Sequence, residues 1–162
     1  MHVIRLRGPW QYRAIARTVL LPDGTTQSEG GPLPRAGRIH MPCDWGNTLG
    51  HDFRGRVLYS RRFHRPTGLE GGDSVMLVFD QVDTRARVSL NGRPLGEFRW
   101  PEMPSRFDVT RSLEESNELV VEVELPRVPE GCAALPRPGG TDKAGGLTGE
   151  VRLEIHPGRK SE

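Results

Sequence analysis

The sequence predicts an all-β sandwich, and three observations lead to this prediction. Short runs of alternating apolar and polar residues recur along the chain, and each run has the length of one strand. Glycine (20 residues) and proline (14 residues) are abundant, as expected for many tight turns. No stretch has the periodicity of the helices that separate strands in a parallel sheet. Residues 1–162 are predicted to form one domain, with a core at about residues 3–156.

The N-terminal part of the chain contains two predicted strands followed by a long polar segment. Residues 3–7 and 10–21 have the composition and alternation of strands. Residues 22–38 are rich in glycine, proline, serine and threonine, so they are predicted to form a surface loop. A short strand is expected at residues 38–41, before a polar loop at residues 42–55.

The central part carries the strongest strand and turn signals. Residues 75–79 form an apolar run that is too short for a helix, which indicates a buried strand. Residues 84–90 alternate between apolar and polar, which indicates a half-buried strand. Asn91 and Gly92 then tolerate the positive φ angles that a type I′ hairpin turn requires. Together these runs predict a meander to which the other strands are added.

An arginine lies in a row of otherwise apolar residues in the preceding strand. Val57, Tyr59, Arg61 and Phe63 alternate along one face of that predicted strand. Because burial of an unpaired charge is costly, we expect a carboxylate or several carbonyl groups beside Arg61.

Two further strands are predicted near the C-terminus, at residues 117–125 and 151–155. In both strands apolar and charged residues alternate, and the charged residues are expected to face water. These are Glu118, Glu122, Glu124, Glu150, Arg152 and Glu154. Residues 126–146, between the two strands, are rich in proline and glycine and have no periodicity. A connection of this length is either functional or disordered.

Charge and hydropathy exclude several classes of protein. The 23 basic and 21 acidic residues are interleaved, whereas a nucleic-acid-binding protein concentrates basic residues on one face. No stretch approaches about 18 apolar residues, so no membrane span is predicted. The N-terminus has no signal-peptide pattern, so the chain is expected either to be cytoplasmic or to have had an export signal removed. Cys43 and Cys132 are either free thiols or a disulfide, and they do not have metal-ligand spacing.

Several segments follow one another in an order known from one enzyme family. They are residues 59–63 (YSRRF), 78–96 (VFDQVDTRARVSLNGRPLG), 104–110 (PSRFDVT), 117–123 (NELVVEV) and 145–154 (GGLTGEVRLE), together with 4–13 (IRLRGPWQYR) and 41–46 (MPCDWG). In this order they resemble the N-terminal sugar-binding domain of glycoside hydrolase family 2, which contains β-galactosidases, β-glucuronidases and β-mannosidases. The resemblance covers about residues 4–155. It implies a jelly-roll β-sandwich of the galactose-binding-domain-like type.

The resemblance also implies that this chain alone is not an enzyme. In that family the sandwich is an accessory to a separate catalytic barrel, which carries the two catalytic glutamates. The chain has no Gly-x-Ser-x-Gly elbow, no His-Glu-x-x-His motif and no glycine-rich phosphate loop. No cofactor is predicted. Galactose-binding-like sandwiches often hold a structural calcium ion, but no aspartate-rich loop predicts one here.

Two loops combine an aromatic residue with charged groups. Sugar sites use this combination to stack on a ring and to hold its hydroxyl groups. The predicted substrate-binding residues are Trp45, His51 and Asp52 in the first loop, near Asp44, and Arg99, Trp100 and Glu102 in the second. For Trp45 the alternative is burial inside the sandwich, as the Pro-x-x-Trp resemblance implies. For His51 the alternative is an ordinary loop histidine, and the exposure of Trp100 stays open.

A further substrate-binding candidate follows from the resemblance. In β-galactosidases an aspartate a few residues before a Gly-Gly-Ile segment helps to hold the substrate and a cation near the barrel. Residues 142–147 (DKAGGL) are similar to that segment in spacing. Asp142 is therefore a candidate substrate contact, with an ordinary loop acid as the alternative.

Three hypotheses for function follow from the sequence. The first is a non-catalytic carbohydrate-binding module. The second is an interaction subunit that docks on a separately encoded catalytic barrel or on a second copy of itself. It is motivated by the end of the chain at Glu162, just past the last predicted strand, and it predicts a broad exposed apolar patch. The third is an excised fragment of a β-galactosidase-like or β-glucuronidase-like enzyme of family 2.

Overall fold

The computed structural model describes residues 1–139 and 142–159, and all the regular elements in these ranges are β-strands. They are β1 (His2–Arg5), β2 (Trp10–Leu20), β3 (Thr26–Glu29), β4 (Gly37–Ile39), β5 (Cys43–Asp44), β6 (Gly55–His64), β7 (Ser74–Phe79), β8 (Arg85–Leu90), β9 (Arg93–Arg99), β10 (Ser105–Asp108), β11 (Ser116–Leu125), β12 (Gly146–Leu147) and β13 (Val151–His156). The prediction of an all-β fold is confirmed.

The strands form two main antiparallel sheets and one short pair. The four-stranded sheet has the order β1-β13-β7-β10. The seven-stranded sheet has the order β3-β2-β6-β11-β8-β9, and β4 pairs with the start of β2. Strands β5 and β12 form a separate two-stranded sheet. This arrangement is the predicted jelly-roll β-sandwich.

The hydrophobic core lies between the two main sheets and forms one continuous cluster. The four-stranded sheet contributes Leu77 and Phe79, and the seven-stranded sheet contributes Tyr59 and Val121. Each of these four side chains is at most 1% exposed. Burying one such side chain contributes about 1.5–3 kcal/mol, so the inward residues of the alternating strands hold the sheets together.

The predicted hairpin turn is present between β8 and β9. Asn91 has a φ of 54° and Gly92 a φ of 79°, both in the left-handed region that a type I′ turn needs. The Asn91 side chain also ties the turn to β11. Its Oδ1 accepts a hydrogen bond from the backbone N–H of Glu118 at 2.8 Å, and its Nδ2 donates to the side-chain oxygen of Asn117 at 3.0 Å.

Residues 22–38 are not a loop throughout, so that prediction is wrong in part. Strand β3 lies inside this segment and pairs with the second half of β2. Asp23 supports the intervening turn by accepting hydrogen bonds from the N–H and hydroxyl of Thr25. The strand was not recognised because an edge strand that faces water tolerates the same polar residues as a loop.

The predicted central meander is also wrong, because β7 and β8 lie in different sheets. Strand β7 pairs with β13 and β10, whereas β8 pairs with β11 and β9. Residues 80–84 therefore cross from one layer of the sandwich to the other. The candidate site is built around this crossing.

Two outward-facing glutamates are buried, contrary to the prediction that they face water. Glu154 lies on the outer face of the four-stranded sheet and forms ion pairs with Arg106 and Arg152. Glu124 lies on the outer face of the seven-stranded sheet and pairs with Arg85. Their side chains are 4% and 12% exposed, because long arginine side chains lie across them.

Neither the carboxylate nor the carbonyl groups expected beside Arg61 pair with it among the described residues. Its Nε is buried without a hydrogen-bond partner among the described residues, and burial lowers the pKa of the guanidinium. The side chain as a whole is only half-buried. The charged head can therefore reach water while the stem packs in the sandwich, which removes the need for a buried counter-ion.

Candidate functional site

A polar cleft of about 450 Å³ brings together residues from several distant parts of the chain. We name it the Asp142 cleft. It is lined by Asp44, His51, Gln81, Asp83, Pro138, Gly139, Asp142, Lys143, Ala144 and Thr148. Three carboxylates, a histidine and a lysine thus surround one space, with two neutral polar side chains among them. Such groups are suited to holding the hydroxyl groups of a ligand.

The β5–β12 pair positions one side of the cleft. Gly146 pairs with Asp44, and the backbone N–H of Trp45 donates to the carbonyl of Gly145 at 2.9 Å. A Cβ atom at Gly145 would lie 2.7 Å from the indole ring of Trp45. Only glycine therefore lets the 145–147 segment pack directly on the buried indole and bring the preceding loop to the cleft.

The inner part of the cleft is fixed by a buried ion pair between Asp83 and Arg137. The Nε of Arg137 donates to Oδ1 of Asp83 at 3.0 Å, and Nη2 donates to Oδ2 at 2.8 Å. The hydroxyl of Thr84 also donates to Oδ1 of Asp83, at 2.9 Å. The two charged side chains are 3% and 7% exposed, so loss of either one would leave a buried charge without its partner.

Two arginines hold the loop that carries Asp142. Both Arg137 and Arg54 donate to the carbonyl oxygen of Lys143, at 2.6 and 3.2 Å. Arg54 donates as well to the carbonyl oxygens of His51 and Phe53, at 2.8 and 2.9 Å. Burial lowers the pKa of Arg54, and the positive charge of Arg137 lowers it further. The guanidinium of Arg54 thus joins the loop of His51 and Phe53 to the loop of Lys143.

His51 and Asp44 approach each other across a glycine. The Oδ1 of Asp44 accepts a hydrogen bond from the backbone N–H of Gly46 at 2.8 Å. A Cβ atom at Gly46 would lie 2.5 Å from Cε1 of His51, so the imidazole ring rests on a position that only glycine leaves open. Both His51 and Asp44 are exposed and available to a ligand in the cleft.

The backbone between Asp83 and Arg85 is strained. Thr84 has a φ of 77°, which is unfavourable for a β-branched residue. Strain of this kind persists only where the surrounding contacts hold it, and it is concentrated at functional sites. Thr84 stands between two residues that face different depressions. Asp83 lines the Asp142 cleft, and Arg85 lines a second depression.

The second depression, which we name the Arg99 groove, has a volume of about 460 Å³ on the outer face of the seven-stranded sheet. Its charged side chains are Arg56, Arg85, Arg87, Glu97, Arg99, Glu102, Glu122 and Glu124. Arg99 and Glu102, which were predicted from the second aromatic loop, lie here and not in the Asp142 cleft. The structure therefore separates Arg99 and Glu102 from the predicted residues that line the Asp142 cleft.

The predicted aromatic platform is not realised at either place. Trp45 is 0% exposed inside the core and cannot stack on a sugar ring, so its alternative interpretation as a core residue is correct. Trp100 is half-buried and lines neither the cleft nor the groove. Asp52 is exposed but also lines neither. Of the seven predicted residues, His51 and Asp142 line the cleft and Arg99 and Glu102 line the groove.

Sequence reasoning did not identify Asp83 and Arg137. Asp83 lies inside the recognised segment 78–96, and its position just before a half-buried strand was a usable signal. Arg137 lies in a segment without periodicity, 54 residues away from its partner. No pattern in the sequence around Arg137 indicates that this residue forms a buried ion pair.

In the part of the chain that the structure describes, no group of three or more His, Cys, Asp and Glu side chains is arranged to hold a metal ion. Within residues 1–139 and 142–159, no helix has the length and apolar character needed to cross a membrane.

The jelly-roll sandwich is the fold of galactose-binding-like domains, and comparison with known proteins gives the family. The model of the family described as glycosyl hydrolase 2 galactose-binding domain-like matches residues 33–134. The chain therefore belongs to this family, as the sequence resemblance predicted.

Individual relatives agree with this assignment. Over 67 residues the chain is 35% identical to β-mannosidase B of Emericella nidulans, covering 41% of this chain and 8% of that protein. Over 140 residues it is 28% identical to a β-galactosidase of Erwinia tasmaniensis, covering 73% of this chain and 13% of that protein. The chain thus corresponds to a small part of each of these relatives.

Solved structures share the fold. The β-glucuronidase of Bifidobacterium dentium, solved with coumarin-3-O-glucuronide, superimposes with a TM-score of 0.71 and 24% identity, covering 96% of this chain and 30% of that one. A Faecalibacterium prausnitzii β-glucuronidase gives a TM-score of 0.69, also at 24% identity, with coverage of 96% and 31%.

Proposed function

We propose that this chain is a non-catalytic carbohydrate-binding module and that the Asp142 cleft is its sugar site. The observation that carries the proposal is the convergence of Asp44, His51, Asp142 and Lys143 on one cleft. Carboxylates accept hydrogen bonds from hydroxyl groups, and lysine donates to them. A saccharide presents many hydroxyl groups at fixed angles, so several such contacts can form at once.

Family membership supports the same ligand class. The relatives are named for enzymes that act on mannosides and galactosides, and the similar solved structures include β-glucuronidases. In each of them the matched region is a small part of the whole protein. A sandwich that binds sugar beside a catalytic domain fits both facts.

The chemistry of the cleft supports binding more than hydrolysis. A glycosidase needs two carboxyl groups about 5–5.5 Å apart for retention or about 6.5–9.5 Å apart for inversion, each open to the substrate. In this cleft both oxygens of Asp83 accept hydrogen bonds from Arg137, so Asp83 serves a structural ion pair. The remaining carboxylates are suited to orienting hydroxyl groups.

The docking hypothesis is the second candidate, and it predicts a broad exposed apolar surface. Among the described residues, large apolar side chains are exposed only at Met1, Leu33 and Val128. The polar cleft therefore gives carbohydrate binding more support. The third hypothesis is that the chain is a fragment of a larger family 2 enzyme. It assigns the same ligand class to the cleft as the first hypothesis. The two differ in whether a catalytic domain belongs to the same polypeptide.

Isothermal titration tests the proposal. The purified protein is titrated with galactose, glucuronic acid, mannose and short β-linked oligosaccharides. We expect millimolar or tighter binding of at least one of these. The Asp142→Asn variant, which removes one charged acceptor, is expected to bind that ligand about tenfold more weakly or worse, because a hydrogen bond to a charged group is lost.

The matched control is Glu115→Gln, which neutralises an exposed carboxylate outside both the cleft and the groove. This variant should bind like the unmodified protein. No heat with any of the sugars, from protein with a native circular dichroism spectrum, would reject the carbohydrate-binding function. Equal weakening in both variants would place the binding outside the Asp142 cleft.

A further inference from the structure

The floor of the Arg99 groove is a ladder of charged side chains in register across four strands. One row runs across the outer face of the sheet as Arg56, Glu124, Arg85 and Arg99. The neighbouring row contains Glu122, Arg87 and Glu97. The first row therefore holds three guanidinium groups and one carboxylate. Positive charge exceeds negative charge along this row.

The one carboxylate of this row is already engaged. Oε1 of Glu124 accepts hydrogen bonds from Nε and Nη2 of Arg85, at 3.1 and 2.7 Å. Its Oε2 accepts from the hydroxyl of Thr26 at 3.0 Å. Because this side chain is only 12% exposed, it forms the base of the groove and leaves little acceptor capacity for the other arginines.

The remaining arginines of the row have surplus donors. Arg99 is directly opposite Arg85 on the neighbouring strand, and like charges in that position repel each other. Arg99 is exposed and makes no ion pair with another described residue. The Nε of Arg56 is buried without a hydrogen bond, and its ion-pair distances to Glu122 and Glu124 are long, 3.6 and 3.8 Å. An oxyanion over this row would accept hydrogen bonds from the exposed guanidinium of Arg99.

The surrounding glutamates restrict which anion fits. Glu97 is 72% exposed and Glu102 is also exposed, and both line the groove beside the arginines. They repel a polyanion with closely spaced charges, such as a nucleic acid. They accept hydrogen bonds from hydroxyl groups, however, so a ligand with one anionic group among several hydroxyl groups matches both kinds of side chain.

We propose that the Arg99 groove binds an acidic saccharide, with a sugar carboxylate over Arg99 and Arg85 and hydroxyl groups directed to Glu97 and Glu102. This inference rests on the proposed carbohydrate-binding function, and it adds a second site with its own ligand class. The Asp142 cleft supplies mainly carboxylate acceptors, whereas the Arg99 groove supplies four guanidinium groups beside four carboxylates. The two sites are therefore selective for different sugars.

The test compares two ligands that differ only in charge. The protein is titrated with tri-galacturonic acid and with its neutral counterpart, in which each carboxylate is reduced to a hydroxymethyl group. We expect the acidic trisaccharide to bind at least about tenfold more tightly, and Arg99→Gln to remove this preference. Arg93→Gln is the matched control, because Arg93 is an exposed arginine on the same strand outside the groove.

Several outcomes would overturn the inference. Equal affinity for the acidic and neutral trisaccharides would do so, and so would equal losses in Arg99→Gln and Arg93→Gln. Binding of polyglutamate as tight as that of tri-galacturonic acid would show only a general attraction to anions. These failures are distinct from failure of the proposed function, because neutral-sugar binding that is sensitive to Asp142→Asn would persist if only the groove assignment were wrong.

Discussion

Glu154 is almost completely buried on an outer sheet face, with 4% of its side chain exposed. Burial by itself raises its pKa, but hydrogen bonds from Arg106, Arg152 and His156 outweigh this effect and lower the pKa to about 2. The arginine side chains that neutralise the carboxylate also cover it. A charged residue can therefore occupy an outward strand position and still be part of the packed structure.

This ion-pair cluster predicts a specific pH dependence of stability. The folded-state pKa of about 2 lies below the value of about 4.3 for an unfolded glutamate. The carboxylate therefore stabilises the fold above about pH 4.3, and this contribution is lost as the pH falls towards 2. Glu154→Gln should lower the free energy of unfolding by about 1.5–3 kcal/mol at pH 7. Urea unfolding of both proteins from pH 7 to pH 2.5 should show the difference shrinking with acidity.

An exposed pair on the other sheet serves as the control for this experiment. Arg87 and Glu97 form an ion pair at 2.9 Å, but their side chains are 71% and 72% exposed. Glu97→Gln should therefore change the free energy of unfolding by less than about 1 kcal/mol. A loss in Glu154→Gln that is no larger than in Glu97→Gln, or that does not vary with pH, would contradict the role assigned to the buried cluster.

Individual site residues were only partly predictable from the sequence. His51 and Asp142, which line the cleft, were candidates because a polar loop and a family spacing pointed to them. Trp45 could not be assigned to the surface or the core, because a tryptophan followed by glycine in a polar loop is compatible with both. Arg137 could not be predicted as a site residue, because only the fold brings its partner Asp83 close to it.

At the scale of elements, the short β5–β12 pair controls the shape of the Asp142 cleft. Gly145→Ala would place a methyl group 2.7 Å from the buried ring of Trp45, where the indole has no room to move. We expect a loss of about 1–3 kcal/mol in the free energy of unfolding, as for other overpacked core positions. Displacement of the adjoining 142–144 loop should also weaken the sugar binding that we propose for the cleft. Thermal denaturation and titration measure the two effects.

Gly71→Ala is the corresponding control. No atom lies within 4 Å of a Cβ built at this position, and its backbone φ is not in the left-handed region. The substitution should leave stability unchanged or raise it by up to about 1 kcal/mol, because alanine restricts the unfolded chain. A Gly145→Ala protein that is as stable as Gly71→Ala would show that the indole does not confine the β12 segment.

Elements were predicted better than their assembly. The hairpin of β8 and β9 was predicted correctly, because alternation and the Asn91-Gly92 turn are local properties. The assignment of β7 and β8 to different sheets was not predicted, because alternation identifies an inward face and does not say which sheet supplies it. Strand β3 was missed because its polar residues resemble those of a loop.

At the scale of the whole molecule, the shared core predicts a single unfolding transition. Inward residues of both main sheets belong to one cluster, and residues 80–84 connect the sheets covalently. Neither sheet can keep its inner face buried without the other, so both should unfold together. In urea, tryptophan fluorescence and far-ultraviolet circular dichroism should give one coincident transition, since Trp10 and Trp45 are both fully buried in the core. Two separated transitions, or a calorimetric enthalpy well above the van't Hoff value, would contradict a single cooperative domain.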